Sequence, residues 1–354
     1  MRPLTAYAGQ HMNVSPAFIG LGSGLVTAVL IASVANGSPL AMFLFYVIPL
    51  PLFLAGAGWG VSAATLSLIT SFIALSLLND LTSALYFIIY MGAPSVVLLY
   101  LLHLRRVFEL NPADKAGAPD PASTADDKAR FRVEWYPFGR IIAWATVMAG
   151  ALASFALLLV STGDINQYSQ IIRDTFSDEA IGRFQEQFSS TQSTEEMRQQ
   201  ILYLLPIGAA QIWLVLVILN LWLAIKIASI SNLLPRPTPS LRAIEYPPFM
   251  AAGFFAALVM GFAPGIVGLL GGAFTGALGL AFVLLGLTVV HTLVAGSPFR
   301  ILVLAVVYAS LLLYPLSILA APMLLGLGIA EPFLRLRQKK NQQTPPPSGH
   351  SGRD

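Results

Sequence analysis

Apolar blocks close to 20 residues long recur along this chain, separated by short polar breaks. A helix of that length crosses the roughly 30 Å of hydrocarbon in a bilayer. Inside hydrocarbon every backbone N–H and C=O must find its partner within the protein, so only helices and closed barrels span. The blocks therefore restrict the fold to an all-α, polytopic transmembrane helical bundle. Charge content agrees: 10% of the 354 residues are Asp, Glu, Lys or Arg, against about 25% in soluble domains.

Two apolar blocks per hairpin organise the first third. Residues 1–16 form an N-terminal segment, and spans at 17–35, 40–58, 60–78 and 84–102 make a four-helix transmembrane half, 17–102. Their connections are too brief for anything but antiparallel neighbours. Arg2, the first apolar run and Ser33-Val34-Ala35 imitate a signal peptide. Further blocks follow directly, so the segment is expected to stay as the first span. Pro49 and Pro51 in the second span predict a kink facing the bundle, where neighbours re-satisfy the freed carbonyls.

Residues 103–137 read as a flexible linker rich in Pro, Ala, Gly, Ser and Asp. The second transmembrane half, 138–334, starts with a span at 138–160. A polar segment at 162–200 follows, in which Ile165, Tyr168, Ile171, Ile172, Phe176, Ile181, Phe184 and Phe188 recur at helical spacing. That pattern predicts one or two short amphipathic helices lying on the membrane or capping the bundle. After the span at 201–228 come Gly-rich helices at 249–296 and an apolar stretch at 299–332, either one tilted helix or a hairpin at Pro315. The tail, 335–354, is expected to be disordered. About eight spans are expected, with ten as the upper count.

Basic residues set the expected topology. They crowd 103–137, the turn at 226–247 and the tail, whereas 162–200 carries seven acids beside three arginines. The positive-inside rule places the first three segments and both termini in the cytoplasm, and 162–200 outside. This distribution, with a net charge of only +3, gives no reason to expect nucleic acid as a partner; the expected partner is the lipid bilayer.

Candidate functional positions are few. The absence of cysteine excludes disulfides and thiol catalysis. His11, His103, His291 and His350 lack metal-ligand spacing, so neither metal nor other cofactor is expected. No phosphate-binding lysine loop, zinc-protease motif or nucleophile–base pair stands out, and enzyme activity is not expected. Asp80, His103, Lys226, Arg300 and Glu331 fall at span ends, where snorkelling explains them. Gln211 and Asn220 lie deeper; interhelical hydrogen bonding is one reading and solute contact the other. Glycines at 261/265, 268/272 and 272/276 permit close helix packing. The sharper alternative is unwinding at Pro264-Gly265 and Gly271-Gly272 to expose a solute site.

Two stretches carry a family resemblance: Ile48-Pro49-Leu50-Pro51 with Gly56-Ala57-Gly58-Trp59-Gly60 before Asn79-Asp80, and Leu313-Tyr314-Pro315 with Gly326-Leu327-Gly328-Ile329-Ala330-Glu331-Pro332 before Leu334-Arg335-Leu336-Arg337. They resemble the uncharacterised YybS-like (DUF2232) family of bacterial multi-spanning membrane proteins. The resemblance implies a cytoplasmic (inner) membrane protein of about eight spans. It also implies distant similarity to the substrate-binding S components of energy-coupling-factor transporters and to the cell-shape protein MreD. Two functions stand at this point. One is a transporter subunit enclosing a small organic ligand, with Asn79, Asp80, Gln211, Asn220, Pro264, Gly265 and His291 as ligand-binding candidates and an energising module as partner. The other is a non-enzymatic scaffold binding membrane or envelope proteins.

Overall fold

Long apolar runs without water can satisfy their backbones only by coiling, and helices dominate accordingly. The computed structural model describes residues 15–35, 43–109, 131–188, 192–240, 244–313 and 315–343. Among these, seven helices are long and apolar enough to cross a membrane: Pro16–Val34, Val61–Leu78, Leu81–His103, Phe138–Ser161, Thr194–Ile230, Ile266–Leu293 and Ser317–Leu334. Three shorter apolar helices accompany them, Phe43–Trp59, Phe249–Gly261 and Arg300–Leu312. This is an all-α polytopic bundle. The chain divides into two units, residues 1–141 with 216–238, and residues 142–215 with 239–354.

The first unit contains α1 (Pro16–Ala35), α2 (Leu50–Trp59), α3 (Val61–Leu78) and α4 (Leu81–His103), whose middle is a π turn over Ile88–Gly92. The start of the expected second span lies outside the described residues. α1 packs on α3 through Gly20 and Gly24. A Cβ at Gly24 would stand 2.6 Å from the Ser67 carbonyl oxygen, and Ser71 Oγ donates to the Gly24 carbonyl at 3.0 Å. The π turn precedes Pro94, which has no N–H to donate; Ala93 N–H instead bonds Ile88 O five residues back.

The 103–137 segment corrects the linker expectation at both ends. Arg105–Glu109 (β1) and Phe131–Trp135 (β2) pair antiparallel, Arg105 opposite Trp135; residues 110–130 lie outside the described residues. Arg105 and Arg236 stand over the Trp135 ring at 5.7 and 5.6 Å, two cation–π contacts. Arg236 Nη1 also donates to Leu102 O at 3.2 Å and Tyr136 O at 3.3 Å. Burial holds the Arg236 pKa below its ordinary value.

Two helices cross the division between units: α5 (Phe138–Ser161) and α8 (Thr194–Ile230). The second unit adds α6 (Ile165–Thr175), α7 (Asp178–Phe188), α9 (Phe249–Gly261), α10 (Ile266–Leu293), α11 (Arg300–Leu312), α12 (Ser317–Leu334) and α13 (Leu336–Gln343). α9 and α10 form a tight hairpin whose turn uses Gly265 at φ 69°, a conformation that disfavours side chains. Gly271 and Gly272 do not unwind. They lie within α10, where Gly271 meets the Met260–Gly261 backbone and Gly272 faces Ile207. The packing reading of these glycines therefore holds there, and the broken-helix reading fails.

The apolar stretch at 299–332 is two helices, α11 and α12, meeting near Pro315. α12 runs antiparallel on α10: Cβ atoms at Gly286 and Gly328 would overlap the carbonyls of Leu324 and Phe282. Glu331, expected to snorkel, is buried. Its carboxylate accepts from Arg337 Nε at 2.8 Å and from Leu336 N–H at 3.1 Å, capping α13. The expected disordered tail is thus helical to Gln343; residues 344–354 lie outside the described residues.

Gly328→Ala should cost about 1–3 kcal/mol by overpacking, read as a lower melting temperature in detergent. Gly326→Ala, which meets nothing within 4 Å, should leave that temperature unchanged or raised. Equal melting temperatures would contradict the α10–α12 contact.

Candidate functional site

Four of the polar candidates read from the sequence, Asp80, Gln211, Asn220 and His291, are engaged in holding the backbone; Asn79 is not. Asn220 is fully buried on α8, and its Nδ2 donates to Tyr46 O and Leu216 O, both at 2.7 Å. The reason lies in Pro49. Residues 46–50 wind in tight turns, with Val47 N–H on Leu44 O, Ile48 N–H on Phe45 O and Leu50 N–H on Val47 O. In that register the donor for Tyr46 O is residue 49, a proline with no N–H. The Asn220 amide supplies the missing donor. The expected re-satisfaction of a proline-freed carbonyl is realised, and Asn220 Oδ1 keeps no partner.

Gln211 plays a weaker version of this part, donating from Nε2 to Gly276 O on α10 at 3.4 Å. For both residues the geometry is the interhelical bond, not an open ligand contact. Asp80 caps α4, accepting from Ser83 N–H at 2.8 Å and Ser83 Oγ at 2.7 Å. These bonds hold its carboxyl below the ordinary carboxylate value. Asn79 is the exposed C-cap of α3. Pro264 is exposed in the α9–α10 turn beside Gly265. His291 Nδ1 donates to Leu287 O at 2.9 Å, which leaves Nε2 to accept from Tyr308 at 3.5 Å.

These positions do not gather. No hydrogen bond joins any two of them among the described residues, and no group of three His, Cys, Asp or Glu there is placed to hold a metal. Among the described residues, a surface hollow of about 570 Å³ near Tyr308 is lined only by α11 and the turn before it, including Ser297 and Arg300. One helix cannot enclose a ligand.

The site that three elements do build lies elsewhere in the second unit. α5 contributes Ala153, Leu157 and Val160, α6 contributes Tyr168 and Ile172, and α8 contributes Pro206 with its flanks, around a cavity of about 180 Å³. α6 closes it because its apolar stripe seats Tyr168 and Ile172 against Leu157, Leu202 and Leu269. Polar ties add little. Arg173 bonds Glu195 at 3.1 Å with both side chains more than half exposed, a pair worth about 0–1 kcal/mol. Arg198 bridges Asp178 of α7 and Glu195 of α8.

Tyr168 is the main polar group at this crevice, and burial pushes its hydroxyl up to about 12. The sequence marked Tyr168 and Ile172 as an amphipathic stripe. It gave no sign that Pro206, inside α8, would stand opposite them. Comparison with family models, with curated proteins and with solved structures returns no match for this chain.

Two outcomes follow from these geometries. Asn220→Leu, which strands the Tyr46 carbonyl, should destabilise the protein by about 1–3 kcal/mol, while Asn79→Ala leaves the melting temperature within error. A neutral outcome for Asn220→Leu would remove its role as a strut. For Tyr168 the folded value lies above the ordinary 10, so its contribution is complete below pH 10 and declines as pH rises toward 12. Protease cleavage at 162–193 should therefore increase across that window, and Tyr168→Phe should flatten the increase.

Proposed function

We propose that this protein is a non-enzymatic subunit of the bacterial cytoplasmic membrane that binds a small apolar or amphiphilic solute, comparable in role to an S component. The observation that supports it is the crevice under α6, walled by two long apolar helices and closed by an amphipathic one. The binding position is this crevice rather than the Gln211 or Asn220 amide, because those amides are spent on backbone carbonyls. With no nucleotide-binding motif of its own, transport would require an energising partner.

The topology that goes with this reading puts 103–137, 226–247 and both termini in the cytoplasm, and the crevice on the opposite side. Contacts between the basic segments favour it. Arg236 bonds Leu102 O and Tyr136 O, and Tyr246 lies within the field of Arg337, although burial still raises its pKa.

The scaffold reading rests on α11, an apolar helix with no buried residue, where Ile301 and Leu312 are 84% and 83% exposed. Native mass spectrometry after extraction in mild detergent separates the two. A discrete small molecule held one per chain and released on denaturation is the expected result. An empty chain bound stoichiometrically to another protein would contradict solute binding and favour the scaffold.

A further inference from the structure

The lining of the crevice restricts its occupant. Among the described residues, its only polar side-chain groups are the hydroxyls of Tyr168 and Thr175, so a polar solute would lose its water without replacement. The cavity of about 180 Å³ falls short of the 300–1,000 Å³ typical of compact ligand pockets. Apolar cavities near 150 Å³ take up benzene, which sets the enclosed portion at roughly six to eight carbons. That is a stretch of chain, open along one side, rather than a whole molecule.

Position says where the chain comes from. The α5 wall lies within the last three turns before Ser161, reaching about 12 Å inward from the helix end at 1.5 Å per residue. At that depth beside a spanning helix the surroundings are lipid tails. Exposed Phe155, Leu158 and Leu159 on α5 and Tyr203 and Leu204 on α8 continue the apolar surface. Charge selects the headgroup. Residues 162–200 carry seven acids and three arginines, and Arg173 and Arg198 are already occupied by Glu195 and Asp178. An anionic headgroup would be repelled, and an ammonium attracted. Asp174, next to Thr175 of the lining, is exposed.

We infer that the crevice holds one acyl chain of a zwitterionic, amine-bearing phospholipid from the adjoining leaflet. The assignment rests on the reading of the crevice as a binding site and names its ligand class.

The test reconstitutes the full chain in vesicles of equal phosphatidylethanolamine and phosphatidylglycerol, followed by native mass spectrometry. One phosphatidylethanolamine per chain should be retained at least about tenfold over phosphatidylglycerol. Ala209→Phe, which fills the crevice from its exposed rim, should reduce retention by a similar factor, and Ala151→Phe should not. Asp174→Asn should narrow the preference between the two lipids. Equal retention of both lipids, or retention indifferent to Ala209→Phe, overturns the assignment. A non-lipid molecule that Ala209→Phe displaces overturns the acyl chain while leaving the crevice a binding site. No adduct sensitive to that substitution overturns both. Should Ala209→Phe fail to fold, wild-type protein photolabelled with a diazirine-bearing acyl chain on phosphatidylethanolamine decides. Labels at residues 153–160 and 205–209 support the assignment, and labels confined elsewhere overturn it.

Discussion

A carbonyl freed by proline inside hydrocarbon has no water to turn to, and the protein must supply its donor. That constraint governs how this chain uses its scarce polar side chains. Pro49 leaves Tyr46 O open, and Asn220 from a distant helix answers it. Pro94 is met by a π turn that shifts the register before it. An unpaired amide or carbonyl in lipid costs several kcal/mol, whereas an interhelical side-chain bond contributes about 0.6–2 kcal/mol. The greater part of the effect of Asn220 is therefore the penalty it prevents.

The same scarcity leaves the polar groups at depth among the described residues committed to the backbone. The sequence reads Asn220 and Gln211 as either interhelical bonds or solute contacts, and His291 as a ligand candidate. Here their donors are directed at Tyr46 O, Gly276 O and Leu287 O. Glycines fill the complementary role by removing side chains where α12 meets α10 and α1 meets α3. In the second unit an opening remains where the amphipathic α6 lies across α5 and α8 beside Pro206.

Legibility from sequence followed the physics of each element. Apolar length alone identified the helical membrane class, because nothing else satisfies a backbone in lipid, although seven helices rather than about eight reach spanning length among the described residues; the turn at Pro264-Gly265 was readable from residue type. The break expected at Gly271-Gly272 was wrong: glycine signals either unwinding or close contact, and only the partner helix decides between them. The short β1–β2 ladder was missed because Arg105–Glu109 alone has no strand signature; its partner lies more than 20 residues away. Glu331 reads from sequence as an interface residue; its cap on α13 arises from the turn at Arg335, φ 49°, which residue type does not announce. The crevice was half legible. The stripe of α6 showed in its spacing, but what it covers is set by tertiary contact.

The most direct test of this division between amides tied to the backbone and a separate binding crevice is cryo-electron microscopy of the protein in lipid nanodiscs. Elongated density between Leu157, Tyr168 and Pro206, with Asn220 still on Tyr46 O, is the result these geometries require. A closed crevice, or ligand density against the Asn220 or Gln211 amide with those bonds broken, would contradict it.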